Sequence, residues 1–521
     1  MTVPGTFRKA VEAKDLSAIT SALDPGIEFH SPVMVKPYRG RDSVVALLGV
    51  LLEVFEDFRY TDELVGAGRP DAPSQALIFD ARVMGKSVQG LDLLRFGGNG
   101  LVTGLTVMVR PLPAAMTLAR AVGRRMAGPA AGRGVLSPAH RVAADLDGFL
   151  GDPMEEEAGP FSYKEIVEAE ERDELPRGAV DAVRAWGFPK YLVPAGLGGR
   201  LTTLEDLFFV TRGISRRSVT VAVMYGSGLL AVNPVWLWGN GWQRKTVADG
   251  VLNGDLACFG VSEADHGSDV MASESEAEIQ GDELVLTGTK WPVGNATRGR
   301  FVTTYARTGP RDFSLILVDK NELEPDMWAP LPPVRTVGLR GHDLSGVAFV
   351  GARVPADRVI GRRGSGLVQT LKTLQITRTA IAALSVGTMD AVVRIGMKYA
   401  RERTLYGADI YKIPVIRDHL VKAHLDLLIA ECVAIPVTRA LTVAPGRLSL
   451  WSSIVKYFVP VVGEEVVASI GTVLAARGYL REGVAHGVFQ KLQRDHAIAS
   501  VFEGTTHVNL ANVAGQLPYL I

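Results

Sequence analysis

Along residues 1 to about 112 the apolar positions change period, from helical spacing to alternation. Thr6 to Leu23 and Val44 to Phe55 carry helical patterns, with the run Ile27-Glu28-Phe29-His30 between them. Apolar residues then recur in strand-like runs over Gln75–Val83, Ser87–Phe96 and Leu101–Val109, and Gly97-Gly98-Asn99-Gly100 supplies a hairpin turn between the last two. A helical start followed by a curled meander predicts a small α+β cone with a pocket, which His30 and Asp80 are candidates to line. From Pro111 to Gly134 the chain shifts to Ala, Gly and Arg around a short amphipathic piece, Met116 to Met126, a pattern expected of a linker spanning 113–137.

Beyond Pro138 the period is helical again. His140 to Leu150 forms one segment, Leu175-Pro176 precedes a second over Val180 to Trp186, and Thr202-Thr203 caps a third with Leu204, Leu207, Val210 and Ile214 on one face. Strand signals replace it at Ala277–Ile279 and Leu284–Leu286 about the Gly281-Asp282 turn, then at Phe301–Ala306, Ser314–Val318 and Val347–Val354. The last block is helical, with Leu384, Thr388, Ala391, Ile395 and Tyr399 in one stripe and Asp390–Arg394 expected as a surface pair opposite it. The expected division is 1–112, a linker, then a helical domain at 138–255, a β domain at 256–365 and a helical domain at 366–521.

Composition narrows the function classes. The chain has 521 residues, enough for two to four domains, and is 47% hydrophobic and 21% charged. Its 56 basic and 56 acidic residues balance, so no global field gathers nucleic acid or an anionic membrane, and neither is expected as a partner. Two cysteines, Cys258 and Cys432, build no disulfide framework and fit a reducing compartment. With no signal-peptide pattern and no uninterrupted apolar run of about 18 residues, the cytoplasm is the expected location. Among the nine histidines, His419 and His424 sit five apart, off one helical face, so no metal site is expected.

Chemistry enters through short motifs in a fixed order. They are Ala257 to Asp269, containing Val261-Ser262-Glu263 and Gly267-Ser268-Asp269; Gly288-Thr289-Lys290-Trp291-Pro292-Val293-Gly294-Asn295; Arg403-Thr404-Leu405-Tyr406-Gly407; and Arg494-Asp495 with Val501-Phe502-Glu503-Gly504-Thr505-Thr506. In these, residues 138–521 resemble the acyl-CoA dehydrogenases, whose fold has an all-α N-terminal domain, a β-barrel middle domain and a C-terminal four-helix bundle. The resemblance implies a flavoenzyme that binds FAD non-covalently and dehydrogenates an acyl-CoA at its α,β-bond, with Glu503 as catalytic base. It implies flavin contacts from Phe259, Val261, Ser262, Gly267, Pro292, Val293, Gly294 and Thr505. Arg403, Tyr406, Thr472, Ala475 and Ala476 fall on pyrophosphate-side positions, and Ser268, Arg378 and Gly504 on substrate positions. It further implies an electron-transfer flavoprotein or other acceptor and a homodimer or homotetramer. The sequence departs from the family at Pro292 for a Trp, Gly294 for a Thr and Ala475-Ala476 for two glycines, which predicts weakened flavin retention, and also at Pro414 for a Gln and, near the CoA position, Gln375 for an Asp. These departures keep two alternatives open: a flavin monooxygenase of the same fold, and a silent binding or scaffold subunit. Residues 1–112 resemble the SnoaL-like branch of the nuclear-transport-factor-2 superfamily, through Tyr38-Arg39-Gly40-Arg41-Asp42 and the closing run Leu105 to Pro111.

Overall fold

The computed structural model describes residues 6–32, 37–66, 73–111, 114–115, 117–118, 121–122, 137–155 and 159–519. The chain divides into two compact units, Met1–Leu136 and Ser137–Ile521.

In the first unit, helices α1 (Thr6–Glu12), α2 (Leu16–Ala22) and α3 (Arg41–Val54) accompany a six-stranded sheet. Its strands are β1 (Leu23–His30), β2 (Tyr38–Arg39), β3 (Glu56–Gly66), β4 (Ser74–Val83), β5 (Lys86–Phe96) and β6 (Val102–Arg110), in the order β2-β1-β6-β5-β4-β3. Strand β3 carries no clean alternation and is absent from the sequence reading; it forms because it completes an antiparallel pair with β4. His30 and Asp80 do not line the interior. Each follows an inward residue, Phe29 or Phe79, so the period of two turns it to the other face. His30 lies beside Glu28, and Asp80 accepts a 3.1 Å hydrogen bond from Gln89. The segment expected as a linker begins differently: Ala114, Leu118 and Ala121 are buried in the first unit's core with Val122 against it, one face of a helical spacing. Met116 and residues 123–136 lie outside the described residues.

The second unit opens with six helices, α4 (Pro138–Leu150), α5 (Tyr163–Glu171), α6 (Arg177–Trp186), α7 (Leu204–Ser215), α8 (Val219–Trp238) and α9 (Gly241–Asn253). Thr203 caps α7 as expected, accepting from Asp206 N–H at 3.0 Å. A seven-stranded sheet follows: β7 (Leu256–Gly260), β8 (Glu276–Gln280), β9 (Glu283–Gly294), β10 (Gly299–Arg307), β11 (Phe313–Asp319), β12 (Trp328–Pro330) and β13 (Leu344–Pro355). Its order is the open path β11-β10-β8-β9-β13-β12, with β7 parallel to β10, rather than a closed hydrogen-bonded barrel. Strands β10 and β8 meet through a single residue pair, Arg307 and Glu276.

Helices α10 (Gly366–Glu402), α11 (Pro414–Val443), α12 (Leu448–Leu474), α13 (Val488–His496) and α14 (Thr506–Gln516) complete the chain, with α12 packed against α10, α11 and α14. Asp390 on α10 is buried rather than part of a surface pair. Arg394 donates to it at 2.8 Å, and Arg212 and Arg216 approach its other oxygen at 3.9 and 3.8 Å. By length and composition α8, α10 and the stretch Pro445–Tyr479 are apolar enough to cross a membrane, though interrupted by polar residues. In α8 and α10 that apolarity serves the core, with 78% and 89% of the apolar window buried; in the third only 44% is.

Candidate active site

The last catalytic candidate, Glu503, sits between two short helical pieces in a loop that the rest of the unit holds from three sides. Its backbone is left-handed, with φ 56°, followed by Gly504 at φ 101°. A non-glycine residue in that region is costly and persists only where surroundings impose it. Those surroundings are explicit: Arg378 Nε donates to the Glu503 carbonyl at 2.7 Å, and Asn509 Nδ2 donates to the carbonyls of Gly504 and Thr505 at 2.9 Å each. Gly504 is favoured by its φ of 101°, where a Cβ is strained, and a Cβ there would also meet Arg378 Nη2 at 2.8 Å. Thr505, expected against the cofactor, uses its hydroxyl to cap α14, accepting from Val508 N–H. Arg378, expected as a substrate contact, is buried and spends its Nε on the Glu503 main-chain carbonyl.

The Glu503 carboxylate accepts from Thr377 Oγ1 and faces Lys456 and Arg378. Burial raises its pKa to about 7, against the lowering influence of the Thr377 hydroxyl and the two cations. Lys456 on α12, which sequence reasoning missed, is buried; its Nζ donates to Ala499 O at 2.6 Å and lies 5.5 Å from the Phe502 ring centroid. Burial pulls that ammonium down to about 8, with Glu503 opposing the shift. The Arg494-Asp495 motif works as an anchor: Asp495 Oδ1 accepts from Leu339 N–H at 2.6 Å, and Arg494 Nη1 donates to Glu170 at 2.7 Å.

A second group of candidates gathers where the loop after β7 meets β9. Ser262 O accepts from Trp291 N–H at 2.9 Å, joining the two motifs in space. Beneath them lies a pair the sequence reading passed over. The Glu263 carboxylate accepts from Lys290 Nζ at 2.7 Å, from Ser273 and Ser275 hydroxyls at 2.6 Å, and from the N–H groups of Glu274 at 2.7 Å and Ser275 at 3.0 Å. Burial opposes its ionisation, but these donors outweigh burial and hold it well below the usual carboxylate range. Lys290 Nζ also donates to Val261 O at 3.2 Å, so the pair fixes the backbone on which Val261 and Ser262 sit. Phe259, Val261 and Ser262 are half-buried, while Gly267 and Ser268 are exposed.

On β9 a register shift opposite Ser345 and Val347 breaks strict alternation, so Lys290 and Val293 are both buried while Pro292 is exposed. Val293, expected against the cofactor, belongs to the β domain's core. Gly294 is crowded: an added Cβ would come within 2.6 Å of Ser227 Oγ and 3.1 Å of His342 Nε2. Its missing side chain is therefore answered by a hydroxyl from α8 and by an imidazole that burial lowers to about 4.

The remaining candidates lie apart from Glu503 in sequence and are exposed. Arg403 and Tyr406 flank the short β14–β15 turn (Thr404–Leu405, Ala408–Asp409), with Tyr406 97% exposed. The Thr472 hydroxyl donates to Ala468 O within its own helix. Ala475 and Ala476 are exposed at the end of α12, and Ala475 adopts φ 49°, ψ −133°, a conformation suited to glycine.

Three family models match this unit in sequence: the acyl-CoA dehydrogenase N-terminal domain over residues 152–255, the middle domain over 258–351 and the C-terminal domain over 364–517. The chain belongs to the acyl-CoA dehydrogenase family. It is accordingly an oxidoreductase of the flavoenzyme class. Among related proteins, the probable acyl-CoA dehydrogenase FadE25 of Mycobacterium tuberculosis is 24% identical over 366 residues, covering 68% of this chain and 92% of that protein. The mitochondrial short-chain specific acyl-CoA dehydrogenase of Homo sapiens is 26% identical over 380 residues, covering 68% and 87%. An acyl-CoA dehydrogenase from Bacillus anthracis, solved in complex with FAD, shares the fold with a TM-score of 0.65 at 21% identity, covering 74% of this chain and 68% of that one.

Proposed function

We propose that the second unit dehydrogenates an acyl-CoA, or a related acyl thioester, across its α,β-bond with Glu503 as base. The observation that carries this reading is the cage around Glu503: a carboxyl raised to about 7, positioned through its backbone by Arg378 and through its side chain by Thr377. A base with a pKa near the working pH takes a proton most effectively without resting in the protonated state. The α-C–H of a thioester is a weak acid, so enolate charge must meet hydrogen-bond donors as it develops. The main-chain N–H of Glu503, in a loop pinned by Arg378 and Asn509, is the donor this chain supplies. Lys456 and Arg378 offset the cost of keeping the carboxylate ionised until it takes the proton.

FAD is the cofactor, and bound FAD supplies the acceptor for the β-hydride. Its assigned residues fit a flat, anionic group: half-buried Phe259, Val261 and Ser262 beside exposed Pro292, with a buried ion pair fixing their backbone, and an exposed Arg403 whose guanidinium makes no hydrogen bond or ion pair among the described residues. Gly267 and Ser268 are exposed and open to cofactor and substrate, and the methyl groups of Ala475 and Ala476 would hold a pyrophosphate farther off than two glycines would.

The same reading extends to partners. The exposed apolar positions Val421, Leu425, Leu428 and Ile429, at helical spacing on α11, support a homodimer or homotetramer. An electron-transfer flavoprotein is the proposed acceptor, and two free cysteines, one buried and one exposed, support a cytoplasmic location. For the first unit, helices against a curled six-stranded sheet support the SnoaL-like assignment.

Glu503→Gln tests the central claim, because the amide fills the same volume but accepts no proton at neutral pH. Flavin content and acyl-CoA binding should persist while anaerobic flavin bleaching slows by about 10²- to 10⁴-fold. Bleaching at the parental rate would remove Glu503 from the mechanism.

A further inference from the structure

The first unit contains a partly open cavity of about 200 Å³. This exceeds the roughly 150 Å³ apolar cavity known to admit benzene in an engineered core. Its walls are aromatic and aliphatic, formed by Phe55, Phe58 and Phe79 with Leu48, Leu105 and Leu118 among others. Phe79 takes its position because Gly90 faces it across β4 and β5; a Cβ at Gly90 would come within 2.1 Å of the ring.

One polar feature interrupts it. Asp92 and Tyr60, 8% and 6% exposed, both line the cavity, and Tyr60 Oη donates to Asp92 Oδ2 at 2.7 Å. Among the described residues Asp92 Oδ1 accepts no hydrogen bond, and it is accessible rather than sealed in the core. A buried carboxyl with one unused oxygen is costly, and such groups are ordinarily satisfied by protein, water or ligand. Lys, Arg and His are absent from the described lining, and nearby Arg8 is committed to Glu63 and Glu12 at 2.9 and 3.0 Å. Among the described lining residues, an anionic ligand would face Asp92 with no compensating cation.

We propose that this cavity is a binding site for a compact, neutral, predominantly apolar molecule carrying one hydroxyl or carbonyl oxygen, which pairs with Asp92. The apolar walls supply most of the binding free energy, and the Asp92–Tyr60 pair orients the ligand. Burial raises the Asp92 carboxyl to about 7, opposed by the Tyr60 hydroxyl, so near neutral pH both its donor and acceptor forms are populated. Either oxygen type on the ligand is then served. The site is distinct from the Glu503 site, since its described lining residues all fall within the first unit.

The test uses the full-length, flavin-loaded protein with 2-naphthol as probe, 2-naphthoate as its anionic counterpart and naphthalene as its oxygen-free one. Fluorescence titration should show saturable 2-naphthol binding, one site per chain, with no change in flavin absorbance. 2-Naphthoate should bind at least about tenfold more weakly, and Asp92→Leu should weaken 2-naphthol by about tenfold while sparing naphthalene. Leu48→Trp, which fills the cavity, should abolish binding of both. If that variant fails to fold, Asp92→Leu still decides the matter. Absence of saturable binding up to about 1 mM, equal affinity for 2-naphthoate, or indifference to Asp92→Leu would overturn the proposal.

Discussion

At the scale of single residues, the Thr377 hydroxyl opposes the burial that raises the pKa of Glu503. It stabilises the charged carboxylate, so Thr377→Val removes a lowering influence and the pKa of Glu503 rises from about 7. The rate of anaerobic flavin reduction in the parent should climb with pH through about 7 as the base loses its proton. In Thr377→Val the same climb should move to higher pH; an unmoved profile would assign the titration to another group. Because the folded pKa exceeds the ordinary value, Glu503 favours stability fully below the unfolded carboxyl range, and this contribution is lost as pH rises through about 7. Ala475 gives a second test. Its φ of 49° with ψ −133° strains a residue bearing a Cβ, a cost of order 1–3 kcal/mol. Ala475→Gly should raise the melting temperature despite the extra freedom of glycine in the unfolded chain, and should slow flavin loss on dilution. A lower melting temperature with unchanged flavin retention would contradict both effects.

Elements, rather than residues, hold the backbone proposed to face the flavin. The loop after β7 is tied to β9 by Glu263–Lys290, with Lys290 fully buried and Glu263 8% exposed. Lys290→Met leaves the carboxylate buried without its cation, which costs about 3–5 kcal/mol. Chemical denaturation should show that loss, and flavin content should fall with it because Val261 loses its anchor; a loss under about 1 kcal/mol would make the pair peripheral. Gly294 shows the limit of repairing a motif one residue at a time. Gly294→Thr puts a Cβ within 2.6 Å of Ser227 Oγ, so it should destabilise rather than strengthen the site. Pairing it with Ser227→Gly should recover the lost stability.

The whole molecule is two units, and every assigned redox residue lies in the second. Residues 137–521 alone should retain flavin and bleach with acyl-CoA; a folded truncation that does neither would show that the first unit completes the active site. Association belongs to this scale too. Leu425→Glu with Leu428→Glu places charge on the exposed apolar stripe of α11 and should shift light-scattering mass toward the monomer. Unchanged mass would place any subunit interface elsewhere.

Local patterns were enough for the helices Pro138–Leu150, Arg177–Trp186, Leu204–Ser215 and Gly366–Glu402, the Thr203 cap, the five strands Glu276–Gln280, Glu283–Gly294, Gly299–Arg307, Phe313–Asp319 and Leu344–Pro355, and the order of motifs ending at Glu503, because each rests on periodicity or adjacent residues. What those patterns left open was settled by partners distant in the chain. Strand β3 exists through its pairing with β4, and Asp390 is buried by arginines from α7 and the turn after it. The hydroxyl beside Gly294 comes from α8, the cation facing Glu503 from α12, and the polar pair of the first unit's cavity from β3 and β5 instead of His30 and Asp80. Alternation along a strand tells which residues share a face, but only the packed sheet decides which face closes on the interior. The ionisation of Glu503 has the same origin: a carboxyl is written into the sequence, while its pKa comes from the burial and charges that the fold assembles around it.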